Sequence, residues 1–238
     1  MKAIALLGGP KEEWPQNLAD KIKLAQKKGA LIMASDRGSL FLLELGIVPD
    51  VALGDYDSLT NHERQLVERK VKDMRYSNPI KDFTDSEMLY YAAFIDYKVD
   101  DLTVYGATGG RLDHFFVNMY AVLKAPFASF KEQIKFVDKQ NIVRFFGKGG
   151  HLISYNSDYK YLGIGALTEV KDFSIKNAKY DLAPVDLKVP TMYSSNEYLR
   201  QQAVKISCKF GVLIVINSRD KNKRDQVLYL IPFIFFTS

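Results

Sequence analysis

Leu102-Thr-Val-Tyr-Gly-Ala-Thr-Gly-Gly-Arg-Leu-Asp-His-Phe-Phe-Val-Asn-Met-Tyr-Ala-Val-Leu-Lys124 reads as a strand, a glycine turn and a helix. Residues 102–105 are apolar or β-branched, and Gly106, Gly109 and Gly110 then break the pattern. Leu112, Phe115, Phe116, Met119, Val122 and Leu123 recur at helical spacing, which predicts the buried face of a helix over 111–124. A strand that ends in glycines and opens a helix is the unit of an open α/β sheet. Such sheets take their ligands beyond the carboxyl ends of the strands.

The same unit repeats upstream. Strands predicted at 3–7, 30–35, 51–53 and 74–76 alternate with helices near 16–28, 38–45, 60–70 and 85–97. Gly29 closes the first helix, and Gly46 with Pro49 ends the second. Met88, Tyr91, Ala92 and Ile95 are the expected buried face over 85–97. After Pro126 the period changes to short β-branched or aromatic runs at 134–137, 142–146, 151–154, 159–164, 170–175 and 204–207. Turn clusters such as Gly147-Lys-Gly-Gly150 and Asn156-Ser-Asp158 separate them. The expected architecture is an α/β N-terminal domain over 1–127 with an open, mostly parallel, Rossmann-like sheet. An all-β sandwich domain over 131–220 and an apolar tail over 221–238 follow it.

Composition narrows the function classes. With 47% hydrophobic and 26% charged residues, the 238-residue chain has the profile of a folded protein rather than a disordered one. The single cysteine, Cys208, excludes an internal disulfide framework, fits a reducing cytoplasm, and reads as a small buried hydrophobe in the apolar run 204–216. A net charge of +5 suits an anionic partner. No long basic run is present, only the small cluster Lys221, Lys223 and Arg224, so nucleotides and their phosphates are expected and nucleic acid is not. The first apolar run is too short for a signal peptide. Residues 227–236 are broken by Pro232 and fall well short of the ~20 a membrane span needs.

Carboxylates follow the predicted strands. Asp36-Arg-Gly38, Gly54-Asp-Tyr-Asp-Ser58, Lys81-Asp-Phe-Thr-Asp85 and the turn ending in Asp113 all open on one sheet edge. One Asp after a strand is ordinarily a helix cap. Four acidic turns converging would repel one another unless a cation neutralised them. Carboxylate oxygens without Cys or a His pair favour a hard cation, Mg²⁺ over Zn²⁺. Gly106, Gly109 and Gly110 leave backbone N–H groups open before a helix N-terminus, an anion-binding pattern, and Arg111 adds a fork for two phosphate oxygens. The Gly-Lys-Ser/Thr ending of a P-loop is absent. His114 has no second histidine at ligand spacing and is not assigned a role, and Trp14 has no assigned partner. The cluster reads as a Mg²⁺–nucleotide site.

These segments, with Gly46-Ile-Val-Pro-Asp50, resemble in order the signature segments of bacterial thiamin pyrophosphokinases. Asn141-Ile142 with Gly150-His151, Lys179-Tyr-Asp-Leu182 and Ser195-Asn-Glu197 resemble that family's β-domain landmarks, and the resemblance covers roughly residues 1–220. It implies transfer of a diphosphate from ATP to the hydroxyl of thiamin, giving thiamin diphosphate and AMP, with Mg²⁺ and in a homodimer whose active sites lie between subunits. By position it implies Asp55, Asp57 and Asp82 as Mg²⁺ ligands, with Asp36 and Asp113 nearby. Lys81 and Arg111 would contact phosphates, and Gly38, Thr84, Asp85, Gly109 and Gly110 belong to the same nucleotide-binding segments. Asp57, Asp82 and Arg111 form the implied catalytic set, either carboxylate being able to accept the hydroxyl proton. Tyr180, Ser195 and Asn196 would hold thiamin, the tyrosine ring by stacking.

Two segments depart from the family pattern: the glycine-rich stretch 161–167, and everything after Asp220, which has no family counterpart. Two other readings fit the acidic turns. A Mg²⁺-dependent nucleotide phosphohydrolase would use Asp55 and Asp57 without needing Tyr180 or Ser195. A non-catalytic nucleotide- or thiamin-binding sensor need not keep every carboxylate.

Overall fold

The computed structural model describes residues 1–76 and 83–220; Lys81, Asp82 and the apolar tail lie outside the described residues. Five parallel strands, β1 (Lys2–Leu6), β2 (Leu31–Ser35), β3 (Val51–Gly54), β4 (Asp73–Tyr76) and β5 (Asp101–Tyr105), lie in the order β5-β1-β2-β3-β4. Between and after them run α1 (Leu18–Lys27), α2 (Arg37–Glu44), α3 (Asn61–Lys70), α4 (Asp85–Tyr91) and α5 (Leu112–Ala121). Each coincides with an expected element to within a few residues. The inner strands β1, β2 and β3 are largely apolar and buried because helices cover both faces, whereas the edge strand β4 carries Asp73 and Arg75. Ile4, Leu6 and Ile32 pack with Ile22 and Leu42 of α1 and α2. Ala3, Ala5 and Val104 pack with Leu89 and Met119 of α4 and α5 on the other face.

The chain winds outward from β1 to β4 and then returns to lay β5 on the other side of β1. The helices that follow β1 and β5 therefore pack on opposite faces of the sheet, and the carboxyl ends of these two strands form the topological switch point, where open α/β sheets bind ligands.

Two expected buried faces differ from those observed. α4 continues as a π-turn over Ala92–Asp96, in which the Tyr97 N–H donates to the Ala92 carbonyl five residues back, at 3.0 Å. Ala92 is buried as expected, but so are Tyr90, Ala93 and Phe94, while Tyr91, the last residue of α4, is exposed; past Ala92 the wider turn resets the periodicity. On α5, Met119 and Val122 are buried, but Leu112 is 72% exposed and Phe116 is exposed as well. Only one face of α5 meets the core. Leu112, Phe116 and Tyr120, spaced by four, form an outward apolar stripe.

The second half begins with β6 (Ile134–Val137), parallel to β5, then β7 (Asn141–Phe146), β8 (Gly149–Ile153), β9 (Tyr161–Ala166), β10 (Val170–Lys176), β11 (Leu182–Leu187), β12 (Thr191–Glu197), β13 (Val204–Cys208) and β14 (Leu213–Ser218). Among the described residues, β6, β7, β14, β9 and β12 extend the parallel sheet to ten strands, and β11-β10-β13-β8 form a second sheet. Leu162, Ile164 and Val215 of the first sheet bury against Phe173, Ile175 and Ile206 of the second. The sandwich is thus present as expected, with one layer made by the far end of the α/β sheet. Cys208 is buried in it. The glycine-rich stretch has a packing reason. A Cβ on Gly165 would lie 2.4 Å from the Thr191 carbonyl oxygen and 2.7 Å from Met192 Sδ, so β12 can approach β9 only because that position is bare. Among the described residues, no helix is long and apolar enough to cross a membrane.

Candidate active site

The loops after β1 and β5 touch backbone to backbone. The Gly9 N–H donates to the Gly106 carbonyl at 3.1 Å, and a Cβ on Gly9 would stand 2.3 Å from that oxygen. Gly106 holds φ at +70°, a conformation glycine adopts without strain. These glycines, with Gly8 and Gly110, line a cavity of about 750 Å³ bounded by the loops after β2 and β3 and by the start of α4. Sequence reasoning passed over Gly8-Gly9-Pro10. The signal was a glycine pair directly after the first strand, legible by the rule already applied to Gly106–Gly110.

Three carboxylates converge here. One oxygen each from Asp36, Asp55 and Asp85 lies within 4.8 Å of the others. Asp36 occupies the N-cap position of α2 but makes no side-chain cap; its Oδ1 accepts the Tyr56 N–H at 3.1 Å instead. Gly54 makes room for this carboxylate, since a Cβ there would sit 2.0 Å from Asp36 Oδ1. Asp36 itself holds φ at +47°, an uncommon value outside glycine. Burial, and then the neighbouring Asp85, push the Asp36 pKa up to about 8. A half-buried carboxylate held beside two others makes an all-oxygen donor set, which fits a hard divalent cation.

Asp57 is exposed and its N–H donates to Asp55 Oδ1 at 3.0 Å. The Asp55 charge raises the Asp57 pKa above the usual carboxylate value. Asp57 does not cap α3. Thr60 does, in a capping box with Glu63. Thr84 caps α4 with Glu87 in the same way, which sets Asp85 at the first helical position.

Arg111 and Asp113 form a two-pronged pair at 3.1 and 2.5 Å, both groups exposed at the start of α5. The guanidinium holds the Asp113 carboxyl down at about 2. Both line the cavity, as do Asp36, Thr84, Asp85 and Gly110. Gly38 and Gly109 serve packing: a Cβ on Gly38 would lie 2.0 Å from the Leu6 carbonyl oxygen, and one on Gly109 2.4 Å from Glu13 Cγ. Trp14 packs edge-on against Phe41 with centroids 5.3 Å apart.

Tyr180, Ser195 and Asn196 do not line this cavity. They lie on or next to β12, the last strand of the sheet, five strand steps from β5, roughly 20–25 Å at ~4.8 Å per step. Tyr180 is 58% exposed, Asn196 is buried, and Ser195 sits at positive φ where β12 shifts register against β9.

A doubly wound parallel sheet with glycine turns at its switch point and converging carboxylates beside them defines an α/β enzyme of phosphate-group transfer. Comparison with known proteins narrows the class. Residues 22–137 match the model of the thiamin pyrophosphokinase catalytic domain, and residues 150–213 that of the thiamin pyrophosphokinase vitamin B1 binding domain. A thiamin pyrophosphokinase family protein from Enterococcus faecalis is 30% identical, with 93% of this chain and all of that one covered at a TM-score of 0.82. The Bacillus subtilis thiamine pyrophosphokinase is 29% identical over 92% of this chain and all of its own length. Its crystal structure superposes at a TM-score of 0.78 over 93% of this chain. The chain belongs to the thiamin pyrophosphokinase family. It is an ATP-dependent thiamin diphosphokinase, making thiamin diphosphate.

Proposed function

We propose that the cavity at the switch point is where the diphosphate of ATP passes to thiamin, with Mg²⁺ held by Asp36, Asp55 and Asp85. The observation that carries this is the convergence of those three carboxylates within 4.8 Å next to glycine turns suited to phosphate. Asp57 stands beside Asp55 at the exposed side of this set. Asp82 and Lys81 remain in the proposed set on sequence position alone, just before Asp85. A bound Mg²⁺ would screen the charge on the phosphate oxygens. The chain's own groups do the rest. Backbone N–H groups of the glycine turns and the start of α5 that are not already paired receive phosphate oxygens, and Arg111, whose Nε and Nη2 face Asp113, offers its remaining N–H groups to them. The thiamin hydroxyl oxygen bonds to the β-phosphorus, the bond from that phosphorus to the bridging oxygen breaks, and AMP leaves with that oxygen. The hydroxyl proton goes to a carboxylate, for which Asp57, raised in pKa by Asp55, is suited.

Thiamin recognition by Tyr180, Ser195 and Asn196 requires a second copy of the chain. Their distance from the cavity within one chain supports active sites formed between subunits, with the sandwich of one copy facing the cavity of the other. The outward stripe Leu112, Phe116 and Tyr120 on α5 offers apolar surface for that contact. In this reading residues 1–127 are the nucleotide unit, 131–220 the thiamin unit, and the protein works in the cytoplasm.

Incubation with ATP, Mg²⁺ and thiamin tests the reaction. AMP and thiamin diphosphate should appear one for one. Thiamin-dependent ADP as the main product would move the attack to the other phosphorus, and nucleotide hydrolysis indifferent to thiamin would favour a phosphohydrolase.

A further inference from the structure

The cavity loop Gly106–Gly110 is held from outside by a residue that does not line the cavity. Asp138 is only 7% exposed, at the turn joining β6 to β7. Its Oδ2 accepts the Thr108 hydroxyl at 2.7 Å, and Thr108 lines the cavity. Its Oδ1 accepts the N–H groups of Gln140 and Asn141 at 2.8 and 2.7 Å, and the Asn141 amide bridges both oxygens at 3.0 and 3.1 Å. A carboxylate with every oxygen engaged is fixed in orientation, so it fixes the hydroxyl that donates to it.

The turn carrying Asp138 is itself anchored. Arg219, just past β14, donates to the Lys139 carbonyl from Nε and Nη2 at 3.1 and 2.8 Å, and Gln140 Nε2 donates to the Arg219 carbonyl at 3.1 Å. The Lys139 N–H donates to the Glu13 carbonyl at 2.7 Å, and the Glu13 side chain occupies the space a Cβ on Gly109 would need. The glycine loop is thus buttressed at Thr108 by Asp138 and at Gly109 by Glu13, both tied to one turn. On the cavity side, Asn118 donates to the Ala107 carbonyl at 3.1 Å.

We infer that Asp138 is a positioning residue for the diphosphate transfer, acting through Thr108 to hold the Gly106–Gly110 loop in its phosphate-binding form. This rests on the cavity being the ATP site. Sequence alone does not pair them: Thr108 lies in the Gly106–Asp113 turn, but Asp138 is 30 residues further on and outside every acidic turn.

The experiment compares ATP and thiamin kinetics, with thermal melts, for the full chain and for Asp138→Asn, Thr108→Val, the double variant and Arg111→Ala. Asp138→Asn keeps an acceptor for the turn but puts an NH₂ group against the Thr108 hydroxyl. Each single variant should lower kcat/KM for ATP roughly tenfold, with the thiamin KM within about twofold, as for a small displacement of binding groups. The double variant should be no worse than the worse single, since both break one contact. Thr108→Ser, which keeps the hydroxyl, should recover most of the loss seen in Thr108→Val, and this arm stands even where Asp138→Asn folds poorly. Equal losses for both substrates that track the melting temperature, or losses that multiply in the double variant, would overturn the inference while Arg111→Ala still weakens ATP. If Arg111→Ala leaves ATP kinetics untouched, the cavity assignment falls and the inference falls with it.

Discussion

Asn196 and Tyr180 hold each other from both sides: the Tyr180 N–H donates to Asn196 Oδ1 at 2.9 Å, and Asn196 Nδ2 donates back to the Tyr180 carbonyl at 2.8 Å. The same Oδ1 also accepts the Glu197 N–H at 2.9 Å. A buried amide therefore pins the backbone beneath an exposed aromatic ring. Replacing Asn196 with Ala leaves these backbone groups unpaired, and the expected loss is about 2–3 kcal/mol of stability, read by urea unfolding. Thiamin KM should rise and ATP KM should not. Unchanged stability would contradict this account of the loop.

Tyr180→Ala separates recognition from support. The ring is exposed, so its loss should cost less than about 0.5 kcal/mol of stability. If it stacks on thiamin, calorimetry should show binding weaker by about 0.5–1.5 kcal/mol beyond the lost contact area, with ATP binding unaffected. Equal losses for the two ligands would remove the stacking role.

The Asp36 environment sets a pH dependence. Its carboxyl has a folded value of about 8 against an ordinary 3.8, so between those values the folded chain binds the extra proton. Stability of the metal-free protein should therefore fall as pH rises from about 4 to about 8. Mg²⁺ favours the ionised form, so its stabilising effect should grow over the same range. Melts at several pH values with chelator and with Mg²⁺ check this, and Asp36→Asn should flatten the metal-free trend. A metal-free melting temperature that rises across this window and owes nothing to Asp36 would contradict it.

Phe116→Glu places a charge in the outward stripe of α5. If the proposed second copy docks on this stripe, the expected result is a monomer in sedimentation, with turnover down roughly tenfold or more, while the melt stays cooperative. A dimer of full activity would show that the second copy sits elsewhere.

The parallel half was legible because strands buried on both faces are continuous apolar runs, and Gly29, Gly46 and the glycines after β5 punctuate them. β11 and β12 were not read. Both are edge strands, and segments such as Ser194-Ser195-Asn196 carry no apolar alternation. β14 was hidden inside the apolar run around Cys208. Tyr91 and Phe116 fit a helical period, yet both are exposed: Tyr91 stands just before the π-turn, and Phe116 lies on a face the core does not reach. The acidic turns were visible as spacing, but spacing does not say which carboxylate faces inward. Asp36 and Asp85 join Asp55 there, and Asp57, two residues on, is exposed.

The central claim, that the Asp36–Asp55–Asp85 cluster holds the metal for ATP, is tested most directly by turnover of Asp55→Asn across a Mg²⁺ titration. The substitution keeps size and hydrogen bonding and removes one charge. A metal site predicts a raised Mg²⁺ requirement and turnover lower by about a hundredfold, roughly 2.7 kcal/mol, with the fold intact. Near-normal turnover at limiting Mg²⁺ would contradict the claim.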